Sequence, residues 1–235
     1  MKDDNLIATL PKAVLLDWDG TLVDSYDFLK AAHNHVRGFY GYELWDDAAF
    51  KDVMRRSTRE AFADLYGEKA EEIKDRLIAY VDENYVHSIV IMDGANELLE
   101  ILDKANILVG IVSNKRHERL VMDIQELGWD KYLKVIVGAG EAQRDKPAPD
   151  PIYLALERLN MRPDECTVWY VGDTATDLES ANAAGVASVL MLHGVGGPEL
   201  VEQYNVSYVF NDLKSLHNAI EGKISANDTG KKVCL

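Results

Sequence analysis

Short apolar runs recur along the chain and alternate with segments in which apolar residues follow the helical repeat. Uninterrupted apolar runs are typical of parallel strands that are buried on both faces. Five such runs lie at 13–16, 107–112, 135–137, 168–171 and 187–192. Helical periodicity predicts helices at 95–104, 116–127, 151–159 and 177–184. The alternation predicts an α/β fold with a doubly wound, Rossmann-like parallel sheet and helices on both faces.

The segment between Ser25 and Ile91 departs from this alternation, because the helical repeat dominates and no buried strand is predicted in it. One apolar face comprises Phe28, Leu29, Ala32, Val36, Phe39 and Tyr40. A second face comprises Ile73, Leu77, Ile78, Val81 and Tyr85. Several helices packed together would bury both faces. We therefore expect an α-helical cap domain at 25–91, inserted into an α/β core domain formed by 1–24 and 92–235.

With 47% apolar and 28% charged residues among 235, the chain has the composition of a globular protein. A formal net charge of −15, without a cluster of lysine or arginine, argues against a nucleic-acid partner. No apolar run approaches the roughly 18 residues of a membrane span, and the first residues lack a signal-peptide pattern. Cys166 and Cys234 lack metal-ligand spacing and are expected to be free thiols. These features predict a cytoplasmic protein without a membrane partner.

Polar residues follow the predicted strands at four places along the chain. They are Asp17 and Asp19, then Ser113 and Asn114, then Lys146, and finally Asp173 and Asp177. In open α/β sheets, ligands bind beyond the carboxyl ends of the strands, where such residues would meet. A negatively charged protein that binds an anionic ligand needs a local cluster of donors and a cation at that place. The four stretches therefore predict one binding site at this edge of the sheet.

These stretches, in this order, resemble the motifs of the haloacid dehalogenase superfamily, and specifically of its phosphoglycolate-phosphatase-like branch with a helical C1 cap. The motif from Asp17 to Ser25 is highly specific, and the one from Gly172 to Asp177 is fairly specific. The resemblance covers nearly the whole chain. It implies a magnesium-dependent phosphatase that hydrolyses a small phosphorylated metabolite, a phosphoglycolate-like phosphomonoester, through an aspartyl-phosphate.

The resemblance, together with the chemistry of the side chains, gives five of these residues a role in catalysis or phosphate binding. Asp17 is implied as the nucleophile that carries the phosphoryl group. Asp19 is implied as the acid that protonates the leaving oxygen and the base that then deprotonates water. Ser113, Asn114 and Lys146 are implied to bind the phosphate, the first two through the hydroxyl and the following backbone N–H groups.

A cluster of carboxylates in one crevice requires a cation. Two negative charges about 4 Å apart repel by roughly 4 kcal/mol at an effective dielectric constant near 20. Oxygen ligands alone favour Mg²⁺, which binds a few carboxylates together with a substrate phosphate. By the resemblance, the ion would contact Asp17, the backbone carbonyl of Asp19, and Asp173. Asp177 is expected behind these ligands, in contact through water.

Other polar residues near the motifs have simpler interpretations. Trp18 should point into the core, and Ser25 should cap the first helix of the cap. His33 and His35 are two apart on a predicted helix, so they do not share a face as metal ligands would. The segment 55–59, Arg-Arg-Ser-Thr-Arg, could line the cap side of the site, but it fits a solvent-exposed start of a helix equally well.

Two other functions stay open. A β-phosphoglucomutase-like phosphosugar mutase would transfer the phosphoryl group to a sugar hydroxyl, although such relatives usually carry Glu-Asp where this chain has Gly172-Asp173. A catalytically inactive module that binds a phosphorylated ligand would keep the fold, although all four motifs are intact here. The sequence does not determine the natural substrate, the cap residues that select it, or the choice between monomer and homodimer.

Overall fold

The computed structural model describes residue 7 and residues 9–54, 58–84, 89–163 and 168–231. Its strands are β1 (Ala13–Leu16), β2 (Val23–Asp24), β3 (Val90–Ile91), β4 (Leu108–Arg116), β5 (Leu133–Ala139), β6 (Val168–Gly172), β7 (Ala187–Met191) and β8 (Tyr208–Phe210). Its α-helices are α1 (Tyr26–Phe39), α2 (Asp47–Met54), α3 (Thr58–Tyr66), α4 (Ala70–Asn84), α5 (Ala95–Lys104), α6 (His117–Glu126), α7 (Asp150–Arg158), α8 (Ala175–Ala184), α9 (Leu200–Gln203) and α10 (Leu213–Lys231).

A six-stranded parallel sheet has the strand order β5-β4-β1-β6-β7-β8. The central strand β1 pairs with β4 on one side and with β6 on the other, so that Leu16 lies level with Ile111 and Val171. The chain that leaves β1 leads to β4, whereas the chain that leaves β6 leads to β7 on the opposite side. The topological switch point therefore lies between β1 and β6, which is where open α/β sheets bind ligands.

Apolar side chains cover both faces of the sheet, and alternate residues of β1 contribute to the two layers. Val14 and Leu16 belong to a cluster that includes residues of α5, α6 and α10. Ala13 and Leu15 belong to the cluster on the other face, which includes residues of α7 and α8. Successive side chains of a strand point to opposite faces, so a strand covered on both sides must be apolar throughout. This arrangement confirms the predicted doubly wound α/β fold.

Helices α1 to α4 fill the segment between β2 and β3 and share an apolar cluster of their own. Its buried members are Ala32, Val36, Phe62, Tyr66, Ile73 and Leu77. The two helical faces thus meet, except that Phe39 is 60% exposed, with the Arg76 guanidinium 3.5 Å from its ring centroid. Tyr85 lies outside the described residues. The exact limits of core and cap stay predictions.

The structure extends the predicted elements at several places. β4 continues to Arg116, beyond the predicted end at residue 112, so Ser113 and Asn114 lie within the strand. This extension is polar, and an apolar pattern cannot reveal it. The strands β2, β3 and β8 are also absent from the prediction, because two or three residues are too few to give a recognisable strand pattern. Helix α10 is absent too, although Leu213, Leu216 and Ile220 repeat at helical spacing.

Among the described residues, no helix combines the length and the apolar character that a membrane span requires. Cys166 and Cys234 lie outside the described residues, so their state as free thiols stays a prediction.

Replacing Leu15 by alanine tests the contribution of the central strand. Leu15 is fully buried in the layer that includes α7 and α8. The Leu15→Ala variant should lose about 2–5 kcal/mol of unfolding free energy, because the change removes contacts and leaves a cavity. Urea unfolding followed by tryptophan fluorescence measures the loss. Met122→Ala is the control, since Met122 is 56% exposed and should change the free energy by less than about 0.5 kcal/mol. Equal losses in the two variants would contradict the assignment of the core.

Candidate active site

The carboxyl ends of β1, β4 and β6 lie side by side, and the polar residues predicted from the motifs meet beyond them. The backbone N–H of Asp17 donates to the Val171 carbonyl at 2.9 Å, which fixes the residue after β1 against β6. Asp173 follows β6, and Asp177 lies in the first turn of α8. Lys146 reaches them from the loop after β5. The structure thus brings these residues together at the topological switch point.

The Lys146 ammonium lies between two carboxylates. Its Nζ atom is 2.8 Å from Asp17 Oδ1 and 2.7 Å from Asp177 Oδ1. It also donates to the Tyr170 hydroxyl at 2.8 Å, and that hydroxyl donates to the Val112 carbonyl at 2.8 Å. Burial would lower the pKa of Lys146, but Asp17 and Asp177 outweigh it and raise the pKa. The ammonium therefore stays charged although only 2% of the residue is exposed.

Asp173 is fully buried, and three neighbouring segments fix its carboxylate. The Thr21 hydroxyl donates to Oδ1 at 2.8 Å, and the backbone N–H of Val195 donates to Oδ2 at 2.7 Å. A β-carbon at Gly20 would lie 2.7 Å from Asp173 Oδ2, and one at Gly194 would lie 2.2 Å from the same atom. Gly20 also has a φ of +85°, which favours glycine. Both glycines are therefore needed for Asp173 to take this position.

Asp177 is a buried acceptor that joins the site to the start of α8. Its Oδ2 atom accepts from the backbone N–H of Thr174 at 2.9 Å, from the Thr174 hydroxyl at 2.6 Å, and from the Asp173 N–H at 3.2 Å. Thr174 caps α8, and the two residues form a capping box. Burial would raise the pKa of Asp177, but the Lys146 ammonium and the Thr174 donors lower it. Protein donors therefore contact both of its oxygens, and its predicted place behind the metal ligands stays a prediction.

Ser113 and Asn114 contribute in different ways. Ser113 is buried, and its Oγ atom accepts from the backbone N–H of Lys115 at 3.2 Å. The Asn114 side chain pairs instead with the backbone of Lys146, with Oδ1 accepting from the N–H at 3.0 Å and Nδ2 donating to the carbonyl at 2.9 Å. The Asn114 side chain therefore positions the Lys146 backbone, and the predicted phosphate contact of Asn114 would have to come from its backbone N–H.

The described carboxylates include one close group that could hold a metal ion. The group comprises Asp17, Asp173 and Asp177, whose oxygens lie within 4.8 Å of one another. Burial, and then repulsion from Asp177, raises the pKa of Asp17 to about 7. Burial, and then repulsion from Asp177 and Asp17, raises the pKa of Asp173 to about 8. One ammonium, that of Lys146, does not balance three acids, so these residues fit a hard divalent cation that binds oxygen.

Asp19 lies next to this group but does not join it through its side chain. Its Oδ1 atom is 3.2 Å from the Lys115 ammonium. The Asp19 carboxylate therefore lies outside the close group of Asp17, Asp173 and Asp177, and its contact with an ion through the backbone carbonyl stays a prediction.

Trp18 and Ser25 flank the acids of the first motif, and only the first of them has the role predicted for it. Trp18 is buried and contacts the Trp129 ring edge to face, with 5.5 Å between the ring centroids. Ser25 stands at the N-cap position of α1, but its side chain makes no capping hydrogen bond. Asp24 Oδ1 accepts from the backbone N–H of Tyr26 instead, at 3.2 Å. The capping role predicted for Ser25 is therefore wrong.

The cap histidines pack among aromatic rings. His33 is buried against Phe50 and Phe62 and His35 stacks on Tyr80 with 4.3 Å between the ring centroids. Neither belongs to the close group of carboxylates. Of the 55–59 segment, residues 55–57 lie outside the described residues, so a role in lining the site stays a prediction.

Several residues that shape the site are missing from the sequence prediction. Tyr170 lies within an apolar strand, so it reads as a core residue although its hydroxyl contacts Lys146. Lys115 is adjacent to the Ser113 motif but has no assigned role. The loop from Gly194 to Gly197 carries the Val195 donor. The three glycines of this loop could have indicated its role from the sequence, because glycines after a strand permit the backbone to approach a ligand or side chain closely.

The chain matches the family described as haloacid dehalogenase-like hydrolase over residues 14–191. This match spans more than half of the chain, and the protein belongs to that family of hydrolases. The resemblance predicted from the motifs is therefore confirmed.

Individual relatives agree with this assignment. The N-acetylmuramic acid 6-phosphate phosphatase of Pseudomonas aeruginosa is 31% identical over 193 residues, which cover 80% of this chain and 84% of that protein. A phosphoglycolate phosphatase of Xanthomonas campestris is 30% identical and covers 78% of this chain and 84% of that protein. Among solved structures, a haloacid dehalogenase-like hydrolase from Bacteroides fragilis superposes with a TM-score of 0.82 at 25% identity, covering 88% of this chain and 100% of that one.

Magnesium should stabilise the protein more at pH 8 than at pH 6. The folded-state pKa values of about 7 for Asp17 and 8 for Asp173 lie above the ordinary value of 3.8. Without metal, stability should fall as the pH rises through this interval, because the folded state holds protons that the unfolded state has released. A bound cation offsets that loss where the acids are ionised, and at lower pH it must displace their protons.

Melting temperatures measured with and without MgCl₂ at the two pH values test this expectation. Asp173→Asn is the control and should lose most of the magnesium-dependent shift at pH 8. Shifts of the same size at both pH values, or a full shift in the variant, would contradict the assignment of the metal site.

Proposed function

We propose that this protein is a magnesium-dependent phosphatase that hydrolyses a small phosphorylated metabolite through an aspartyl-phosphate on Asp17. The observation that carries the proposal is the position of the Asp17 carboxylate at the switch point of the sheet, with the Lys146 ammonium 2.8 Å away. The carboxylates of Asp17 and Asp173 offer oxygens within 4.8 Å of each other. The proposed nucleophile, the proposed cation ligands and the lysine that would bind the phosphate are thus adjacent, which supports phosphoryl transfer at this place.

In the first half of the reaction, a carboxylate oxygen of Asp17 attacks phosphorus. The bond from phosphorus to the ester oxygen breaks, and Asp19 gives that oxygen a proton, so that the alcohol leaves and Asp17 carries the phosphoryl group. Lys146 supplies positive charge to the phosphoryl oxygens during transfer, and Ser113 with the following backbone N–H groups donates hydrogen bonds to them.

In the second half, Asp19 takes a proton from a water molecule, and the water oxygen attacks phosphorus. The bond between phosphorus and Asp17 breaks, which releases inorganic phosphate and restores the carboxylate. Bound by Asp17, the Asp19 carbonyl and Asp173, magnesium would offset the negative charge of the phosphoryl oxygens. The chain itself fixes Asp173 through Thr21 and Val195, and fixes Asp177 through the start of α8.

Hydrolysis is favoured over transfer to a sugar by a feature next to Asp173. Relatives similar to the mutases usually carry glutamate at the position of Gly172. Here a β-carbon at Gly172 would lie 2.4 Å from Asp177 Cγ. A glutamate could not enter without displacing the acceptor that holds Lys146, so the site departs from the mutase pattern.

The substrate class follows from the relatives rather than from the described cap. The similar proteins are named as phosphatases of N-acetylmuramic acid 6-phosphate and of phosphoglycolate, and PpaX of Bacillus velezensis, 25% identical, is named as a pyrophosphatase. These three substrates share a dianionic phosphoryl group on a small molecule. We infer that the present enzyme acts on a phosphoglycolate-like phosphomonoester in the cytoplasm.

Phosphate release from a panel of phosphorylated metabolites, with and without Mg²⁺, tests the proposed function. The panel includes phosphoglycolate, N-acetylmuramic acid 6-phosphate and pyrophosphate. The Asp17→Asn variant should release phosphate at least about 10³-fold more slowly, because it lacks the covalent nucleophile. EDTA should abolish release by the native protein, and MgCl₂ should restore it.

Asp103→Asn provides the matched control, because this exposed residue of α5 lies at the opposite end of the sheet. It should keep full activity. Full activity of Asp17→Asn would contradict the mechanism. Interconversion of glucose phosphates without release would favour the mutase, and stabilisation by Mg²⁺ with a phosphate analogue but no turnover would favour the binding module.

A further inference from the structure

Four charged side chains of alternating sign lead away from the site along the end of β4 and into α6. The Lys115 ammonium is 3.2 Å from Asp19 Oδ1 and 3.2 Å from Asp123 Oδ2. Asp123 Oδ1 in turn accepts from Arg119 Nε at 2.7 Å. Arg119 and Asp123 are one turn apart on α6, so the helix fixes their spacing.

These charges are withdrawn from solvent. Asp123 is fully buried, and the side chains of Arg119 and Lys115 are 6% and 9% exposed. A buried carboxylate is stable only when cations and hydrogen bonds compensate it, and here two cations flank it. A lysine side chain that bridges two carboxylates in this way loses most of the rotamer freedom of its four-carbon stem.

Fold stability alone does not account for such an arrangement. Apolar residues of similar volume often stabilise a fold as well as, or better than, a buried set of ion pairs. The network also ends on the carboxylate of Asp19, two residues after Asp17 at the candidate active site. Its consequence for the site is to fix one oxygen of Asp19, which leaves the second oxygen for proton exchange.

We infer that Lys115, held in place by Asp123 and Arg119, is a positioning residue that orients the Asp19 carboxylate for proton transfer to the leaving group. This inference rests on the proposed function, because it assigns Asp19 its role as acid and base. In this role the Lys115 ammonium acts on the reaction through the Asp19 carboxylate. Misplacing a catalytic group by about 1 Å can cost roughly 10²-fold in rate, so orientation by a fixed ammonium is large enough to detect.

Leaving-group dependence separates this role from a purely structural one. An ester of an alkyl alcohol, such as phosphoglycolate, needs a proton on its leaving oxygen, whereas p-nitrophenyl phosphate releases a stable phenolate without one. The kcat/KM value reports on formation of the aspartyl-phosphate, where Asp19 acts as the acid. Lys115→Met should lower kcat/KM by about 10²-fold for the alkyl ester and by less than about threefold for the aryl ester.

A double-mutant cycle then asks whether Lys115 acts through Asp19. In the Asp19→Asn background, where no acid remains to be oriented, Lys115→Met should cost less than about twofold with the alkyl ester. The Asp123→Asn variant leaves Lys115 and Asp19 intact but removes a charge that anchors the ammonium. Asp123→Asn should lower kcat/KM for the alkyl ester selectively, by a smaller factor than Lys115→Met does. Lys115→Arg should retain part of the activity that Lys115→Met loses.

Lys104→Met, at an exposed lysine of α5, controls for the loss of a lysine and should not change kcat/KM for either ester. Unfolding midpoints should show that each variant is folded at the assay temperature, and Asp123→Asn keeps the test decisive if Lys115→Met does not fold. Equal losses on the two esters, or an undiminished loss in the Asp19→Asn background, would overturn the inference while leaving the phosphatase intact. Native protein that hydrolyses neither ester would overturn the proposed function and the inference together.

Discussion

The ion pairs between the Lys146 ammonium and the carboxylates of Asp17 and Asp177 are the interaction on which the rest of the site depends. The lysine is buried, and its charge is retained because both acids lie within 2.8 Å of it. The Asn114 side chain, near the end of β4, accepts a hydrogen bond from the backbone N–H of Lys146. The Tyr170 hydroxyl, within β6, accepts one from the Lys146 ammonium. Elements distant in sequence thus converge on one charge.

The negative charge that Lys146 leaves unbalanced makes this group of carboxylates suited to bind a cation. Asp173 is as deeply buried as Asp177, but the partners that the described part of the chain gives its carboxylate are a hydroxyl and a backbone N–H. Its pKa is therefore raised by burial and by its acidic neighbours, whereas the lysine and the Thr174 donors lower that of Asp177. The same kind of side chain thus has an ammonium and several donors as partners at position 177, and a hydroxyl and a backbone N–H at position 173. The difference comes from the donors that the fold places nearby.

Much of this arrangement follows from the sequence, for identifiable reasons. The buried strands give continuous apolar runs, and the residues after them are polar, so Asp17 and Asp173 stand out at strand ends. Lys146 lies in a later loop and is identified through the resemblance of its motif. The resemblance of their motifs to one family adds the role that is expected of each residue. What the sequence does not reveal depends on distant contacts. The Asn114 pairing with Lys146, the Thr21 hydroxyl on Asp173 and the Lys115 link to Asp19 join residues 32, 152 and 96 positions apart.

The central claim is that Asp17 becomes phosphorylated during turnover. It is tested most directly by acid quenching of the enzyme during turnover of its best substrate, followed by borohydride reduction and peptide mass spectrometry. An aspartyl-phosphate is reduced to homoserine, whereas a free carboxylate is not. The account predicts homoserine at position 17, dependent on substrate and absent from quenched enzyme that has seen none. Conversion of another acid, or steady turnover with position 17 unchanged, would contradict it.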